Sequence, residues 1–308
     1  MPQLTETFDR PEQATAAARS RGRAKGSRTE FWMLLPSIVV LAIISIFPFL
    51  FLIYASFMDY SLSIDAPSFT GLDNWRRVFE SDTFWQSWGR TAIFGVAGLA
   101  LELLLGVAVA LLLYHAPKGR NLIMTLWMLP LFVAPVVSGL LWKYLLDPTY
   151  GLYNWFLERI GIHTQILGDI STAMPAVILM DVWEWTPLIT IIVLAGLQSV
   201  SQEPLEAAEV DGASGFQKIR FILLPMVRRM IVVALLIRSM DILRYVDTIT
   251  IATEGGPADS TKTIGYYLMQ VAFRFQDMGT AAALGLTMLF VTMVMGNIFV
   301  KMMKKGEG

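Results

Sequence analysis

The sequence predicts an all-α polytopic membrane protein, a bundle of six transmembrane helices with both termini in the cytoplasm. Hydrophobic residues make up 55% of the 308-residue chain and charged residues 16%, against about a quarter charged in a soluble domain. Six mainly apolar runs reach the roughly 20 residues that cross a bilayer. Basic residues collect on alternate connections, as they do when one side of the membrane retains them.

Residues 1–30 form a basic cytoplasmic tail, with Arg10, Arg19, Arg21, Arg23, Lys25 and Arg28 set among small polar residues. Too little apolar surface is present there for a core, so disorder is expected. The run 31–58 greatly exceeds the apolar stretch of about 7–15 residues in a signal peptide, and reads as an uncleaved span with Pro36 and Pro48 inside it. The other spans are 91–114, 122–146, 174–197, 230–252 and 280–300, the fifth being the least apolar. Together they make one membrane domain, 31–308, with a long interior loop at 198–229. Trp75, Trp85, Trp88, Tyr150, Tyr153, Trp155 and Tyr266 fall on the external connections, as interfacial anchors or on short amphipathic helices.

Orientation follows from the same charges. With the amino terminus inside, the tail, Lys118, Arg120, Lys218, Arg220, Arg228, Arg229, Lys301, Lys304 and Lys305 share the cytoplasmic side. Arg76, Arg77, Arg90, Arg159, Lys262 and Arg274 face out. The tail's charge therefore serves topology, and nucleic-acid binding is not needed to explain it. The chain contains no cysteine, which excludes disulfides and thiol chemistry.

The interior loop is polar and punctuated. Ser199 with Gln202 has capping-box spacing, Pro204 suits a first helical turn and Gly212 suits a left-handed stop. Ser214 with Gln217 repeats the box, and Pro225 interrupts the second helical pattern. The run Glu206-Ala207-Ala208, three residues, Gly212, nine residues, then Ile222-Leu223-Leu224-Pro225 resembles the EAA loop of ABC importer permeases at each fixed position. That resemblance implies the type I importer fold and makes Glu206, Ala207, Ala208, Asp211, Gly212, Ala213 and Pro225 the residues that couple to an ATPase. A solvated amphipathic connector is the competing structural account.

Two constellations lie within spans. In span five Arg238, Asp241, Arg244 and Asp247 alternate in sign at intervals of three, so that Arg238–Asp241 and Arg244–Asp247 can pair along a helix. Each charge at mid-membrane costs about 2.5–3.5 kcal/mol on insertion scales, so they face one another, protein or a wet path. Span four carries Asp181, Trp183, Glu184 and Trp185 before Pro187, a mixture of carboxylates and indoles suited to sugar hydroxyls and sugar faces. An interfacial aromatic belt accounts for the same residues. Glu102 in span two reads as a solitary buried carboxylate with a structural hydrogen bond. Span five and the following Gly255-Gly256-Pro257 resemble the fifth core helix of carbohydrate-type ABC permeases. By that resemblance Asp241, Arg244, Tyr245 and Asp247 become substrate-path candidates, beside Trp183 and Glu184 from the carboxylate and indole mixture of span four.

No phosphate-binding loop or metalloprotease motif occurs, and His115 and His163 read as loop residues. The chain is thus expected to be no enzyme and to bind no cofactor, with ATP and Mg2+ held by a partner ATPase. The resemblance implies further partners: a second permease subunit in a heterodimer, an ATPase dimer, an extracytoplasmic solute-binding protein and a carbohydrate substrate. An ion-coupled secondary transporter using Asp241, Asp247 or Glu102 is the alternative reading.

Overall fold

The computed structural model describes residues 27–61, 66–116, 118–161 and 165–304. The basic tail up to residue 26, His163 and Lys305 lie outside them. Contacts divide the chain into two compact units, Met1–Tyr54 and Ala55–Gly308. The first is dominated by α1 (Ser27–Ser56), which contains Pro36 and Pro48. From Phe31 to Phe51 its side chains are mainly apolar and exposed, as befits a helix surrounded by lipid or protein rather than water.

The second unit opens with a short antiparallel hairpin, β1 (Met58–Asp59) and β2 (Ser68–Phe69), and α2 (Asp73–Glu80). The hairpin departs from a purely helical expectation. Asn74 holds it by donating to the Ser56 and Met58 carbonyls at 2.9 and 2.8 Å. The long α3 (Asp82–His115) follows, then α4 (Arg120–Trp127), a 3-10 turn (Leu129–Phe132), α5 (Pro135–Leu145) and α6 (Leu152–Arg159). Next come α7 (Ile170–Gln198), α8 (Glu203–Val210), α9 (Gly215–Lys218), α10 (Leu224–Ile242) and α11 (Asp247–Ala252). The chain ends with α12 (Ile264–Met269) and α13 (Met278–Lys304). His115 is therefore the last residue of a helix and not part of a loop.

Among the described residues four helices are long and apolar enough to cross a membrane: Phe31–Ser56, Asp82–His115, Ile170–Gln198 and Met278–Met303. The third and fifth expected spans are not continuous helices. Pro130 and Pro135 lack the N–H an α-helix needs and restrict the residues before them, so 122–146 becomes α4, a 3-10 turn and α5. The stretch 230–252 stops at Ile242 and resumes at Asp247. The broken pieces meet each other: at Gly139 a Cβ would sit 3.1 Å from Ile251 Cβ and 3.2 Å from Thr248 Cα. Two polar bonds fix that crossing. Thr248 donates to the Pro135 carbonyl at 3.2 Å, and Lys143 Nζ donates to the Ile251 carbonyl near the end of α11 at 3.0 Å.

The core is built where α3 packs on α7. Small residues let helix backbones approach closely, and a Cβ on Gly106 would lie 2.8 Å from Ile189 Cγ2. Ala110, Leu113, Ile189, Leu194 and Leu197 continue this contact toward Leu223 and Val227, which lead into α10.

Candidate functional site

The interior loop folds as an elbow of two short helices. Pro204 occupies the first turn of α8, where a missing N–H is harmless. At the other end the Ala213 N–H bonds the Ala208 carbonyl at 2.8 Å and the Gly212 N–H bonds the Glu209 carbonyl at 3.1 Å. This is a Schellman closure, and it requires the left-handed Gly212, whose φ is +79°. Asp211 adds an N–H to the Ala207 carbonyl at 3.0 Å. Ala207, Ala208, Asp211, Gly212 and Ala213 thus terminate one helix, and Ser214 starts the next with a complete capping box to Gln217.

Two expectations about this loop are corrected. Ser199 donates back to the Gly196 carbonyl at 2.7 Å and does not cap α8, because the chain is still turning off the end of α7. Pro225 does not interrupt its helix either. The π turn Ile219–Leu223 precedes it, and this wider turn accommodates a ring that would otherwise press on the preceding turn. α9, the π turn and α10 therefore run on as one rod from the elbow into the membrane domain.

The elbow faces outward with apolar side chains. Val210 is 88% exposed, Phe216 69% and Phe221 67%, a patch of the kind that marks a protein contact. Glu206 is exposed and lines a cleft of about 770 Å³ with Tyr114, His115, Leu205, Glu209 and Lys218. Gln202 Nε2 donates to the Tyr114 hydroxyl at 3.2 Å, and Lys218 pairs with Glu209 at 3.4 Å. The first bond ties the elbow to α3 and the second ties its two helices together.

Deep in the bundle, Arg238 on α10 joins α3 and α7. Its Nε and Nη2 donate to the two Glu102 oxygens at 2.9 and 2.7 Å, and Nη2 also reaches both Asp181 oxygens at 3.0 Å. Glu102 and Asp181 are fully buried and Arg238 is 1% exposed. The Trp185 ring covers the guanidinium at 4.7 Å, a cation–π contact. Glu102 is not solitary. Its partner lies 136 residues away, and no local sequence signal pointed to it.

The chain of charges continues from this centre to the surface. Asp241 Oδ2 lies 3.6 Å from Arg238 Nη1, and Asp241 Oδ1 accepts from Arg244 Nη2 at 2.9 Å. The expected Arg244–Asp247 pair is not made. α10 ends at Ile242, so the two residues no longer share a helical face, and Arg244 turns back to Asp241. Arg244 and Asp247 are both exposed at the break. Tyr245 is buried there, stacked on Phe94 with ring centroids 5.2 Å apart. Glu184 is buried within electrostatic reach of Arg238 and Asp247. Its Oε2 and the Tyr245 hydroxyl lack a hydrogen-bond partner.

Trp183 stands apart from the other candidates. It opens on a cleft of about 500 Å³ lined by Trp127, Trp142, Thr186 and Pro187, and meets Trp142 edge to face at 5.6 Å. One residue along a helix turns the side chain by roughly 100°, which separates it from Glu184. The loop after α11 is braced by Thr253 and Thr261, whose hydroxyls are 2.7 Å apart. Arg274 bonds Glu254 at 2.6 Å and holds its carboxyl below the usual carboxylate range. Among the described residues no group of three or more His, Cys, Asp and Glu is placed to hold a metal.

Long apolar helices, two broken apolar segments meeting beside a buried ionic centre, and an apolar elbow projecting from one end define a membrane transport permease. The comparisons identify its kind. Residues 102–305 match the model of the binding-protein-dependent transport system inner membrane component family. The chain is 33% identical over 261 residues to the trehalose/maltose transport system permease protein MalF of Thermococcus litoralis, covering 84% of this chain and 87% of that protein. It is 30% identical to the sulfoquinovosyl glycerol transport system permease protein SmoG of Agrobacterium fabrum, over 88% and 89% of the two chains. Its fold is similar to a chain in the crystal structure of a bacterial alginate ABC transporter in complex with alginate pentasaccharide-bound periplasmic protein. The TM-score is 0.79 at 24% identity, over 90% of this chain and 94% of that one. The chain belongs to the family of binding-protein-dependent transport system inner membrane components. It is the membrane permease subunit of an ATP-driven ABC importer.

Proposed function

We propose that this subunit imports a carbohydrate, forming half of the translocation path and coupling it to a separate ATPase. The observation that carries the reading is the break in span five. Exposed Arg244 and Asp247 and half-buried Asp241 in an otherwise apolar segment are tolerated at membrane depth only against water or protein, so this face borders a wet path or a second permease. Carboxylates, a guanidinium and Tyr245 offer donors and acceptors for sugar hydroxyls. Relatives named for trehalose, maltose and sulfoquinovosyl glycerol transport support a carbohydrate.

In this reading the chain crosses the membrane six times, with the broken third and fifth segments counted as spans and both termini inside. The elbow, with Glu206 on its exposed face, seats in the ATPase dimer. A second permease completes a heterodimer, and an extracytoplasmic binding protein delivers the substrate. The chain itself binds neither nucleotide nor metal; ATP and Mg2+ belong to the ATPase. Transport is by alternating access, which needs the path to bind substrate differently in its two states, since equal affinity shifts nothing.

The test is ATPase activity of the complete complex in proteoliposomes, titrated with binding protein loaded from a panel of neutral and acidic sugars. Stimulation by a loaded carbohydrate and not by amino acids or ions is expected. A response only to a non-carbohydrate solute overturns the substrate assignment.

A further inference from the structure

Asp241 sits between two arginines and is bonded to only one of them. Its Oδ1 accepts from Arg244 at 2.9 Å, whereas Oδ2 is 3.6 Å from Arg238 Nη1, beyond hydrogen-bond range. Arg238 is otherwise committed. Nε and Nη2 serve Glu102 and Asp181, so Nη1 is the edge left for Asp241. The asymmetry of burial matters as much as the distances: side-chain exposure is 75% for Arg244, 31% for Asp241 and 1% for Arg238. The three form a graded line from the open face to the junction of α3, α7 and α10.

We propose that Asp241 is a positioning residue with two alternative partners, held by Arg244 when the path is empty and released to Arg238 when a ligand engages Arg244. This rests on the carbohydrate-path reading above. Sugar hydroxyl and ring oxygens accept from a guanidinium, and a ligand bonded to Arg244 Nη2 competes for the donor that Asp241 now uses. A shift of under about 1 Å then brings Asp241 into hydrogen-bond range of Nη1. Charge-assisted bonds to arginine are the strong ones, so the exchange alters the balance of forces on a guanidinium that also grips α3 and α7. α7 runs directly to the elbow through Gln198, and α10 leaves the elbow as one rod. Occupancy at the open face thereby reaches both arms of the ATPase-facing loop through one bistable side chain.

Opposite signs test it. In the reconstituted complex, Arg244→Gln deprives Asp241 of its outer partner and imitates the occupied state, so the basal ATPase rate per assembled complex rises about fivefold without substrate. Asp241→Asn removes the exchanged charge, and the ratio of stimulated to basal rate falls about fivefold. Arg244→Lys, which keeps a cation for Asp241, returns the basal rate toward wild type. Rates are normalised to complex yield on the same samples. A wild-type complex that responds to loaded binding protein while Arg244→Gln stays within about twofold of wild type, or falls with Asp241→Asn, overturns the switch alone. A wild-type complex with no response to any loaded binding protein overturns the importer reading and the switch with it.

Discussion

Arg238 and Glu102 form a two-point ion pair, with guanidinium nitrogens 2.7 and 2.9 Å from the carboxylate oxygens, in a part of the bundle where neither is more than 1% exposed. The pair, with Asp181, locks α10 to α3 and α7. Removing one member of a buried pair costs about 3–5 kcal/mol because a charge is left uncompensated. Arg238→Met is therefore expected to lower the yield and thermal stability of the folded subunit sharply. Adding Glu102→Gln and Asp181→Asn to Arg238→Met is expected to recover much of the loss, measured by thermal unfolding in detergent.

Helix contact between α3 and α7 leaves no room at Gly106, where even a Cβ would approach Ile189 to 2.8 Å. Gly106→Leu should cost about 1–3 kcal/mol through overpacking. Gly215→Ala, where a Cβ meets nothing within 4 Å, serves as the control and should unfold near the wild-type temperature.

The elbow depends on one left-handed residue. Gly212 has open space around it, so any penalty on substitution comes from the backbone, about 1–2 kcal/mol for a residue with a Cβ. Gly212→Val is expected to keep membrane insertion and lose ATPase coupling, whereas Gly212→Asn, which tolerates this conformation, keeps more. Glu206→Lys should weaken ATPase capture while leaving the fold intact. Co-purification of the ATPase with each variant checks both expectations.

These cases mark what the sequence made legible. The spacing of Glu206 and Gly212, with Ser214 and Gln217, announced a two-helix elbow because caps and stops are local in sequence, although Pro225 proved to be no stop. Arg238–Glu102 was not legible, since the partner of a buried charge depends on which helices touch. The Arg244–Asp247 pairing failed for a related reason: an interval of three makes a pair only on an unbroken helix, and the chain leaves the helix after Ile242. Likewise Pro130 and Pro135 stood inside an apolar run whose length masked the break they impose. Trp183 and Glu184 looked like one site as neighbours in sequence, but adjacent helical positions face different ways.

Acid pH has a defined effect on the loop after α11. Arg274 depresses the Glu254 carboxyl, so the pair's contribution is fully present above the ordinary carboxylate range and disappears as pH falls through the lowered value. Limited proteolysis of 253–263 should accelerate in that acid window for wild type. Glu254→Gln should show the faster cleavage already at neutral pH.

Topology is open to a clean test because the chain has no cysteine. Single cysteines at Ser68 and Asp259 should react with an impermeant thiol reagent added to spheroplasts, and one at Gly215 should react only after permeabilisation. The reverse pattern contradicts the charge-based orientation.

The most direct measurement is uptake by proteoliposomes holding this permease, its partner permease and the ATPase, with binding protein and labelled sugar outside and ATP inside. The account predicts uptake that requires ATP hydrolysis and loaded binding protein and is indifferent to collapse of proton and sodium gradients. Uptake that proceeds without ATP and stops when an ion gradient is collapsed would contradict it, and would return Asp241, Asp247 and Glu102 to the role of an ion-coupling site.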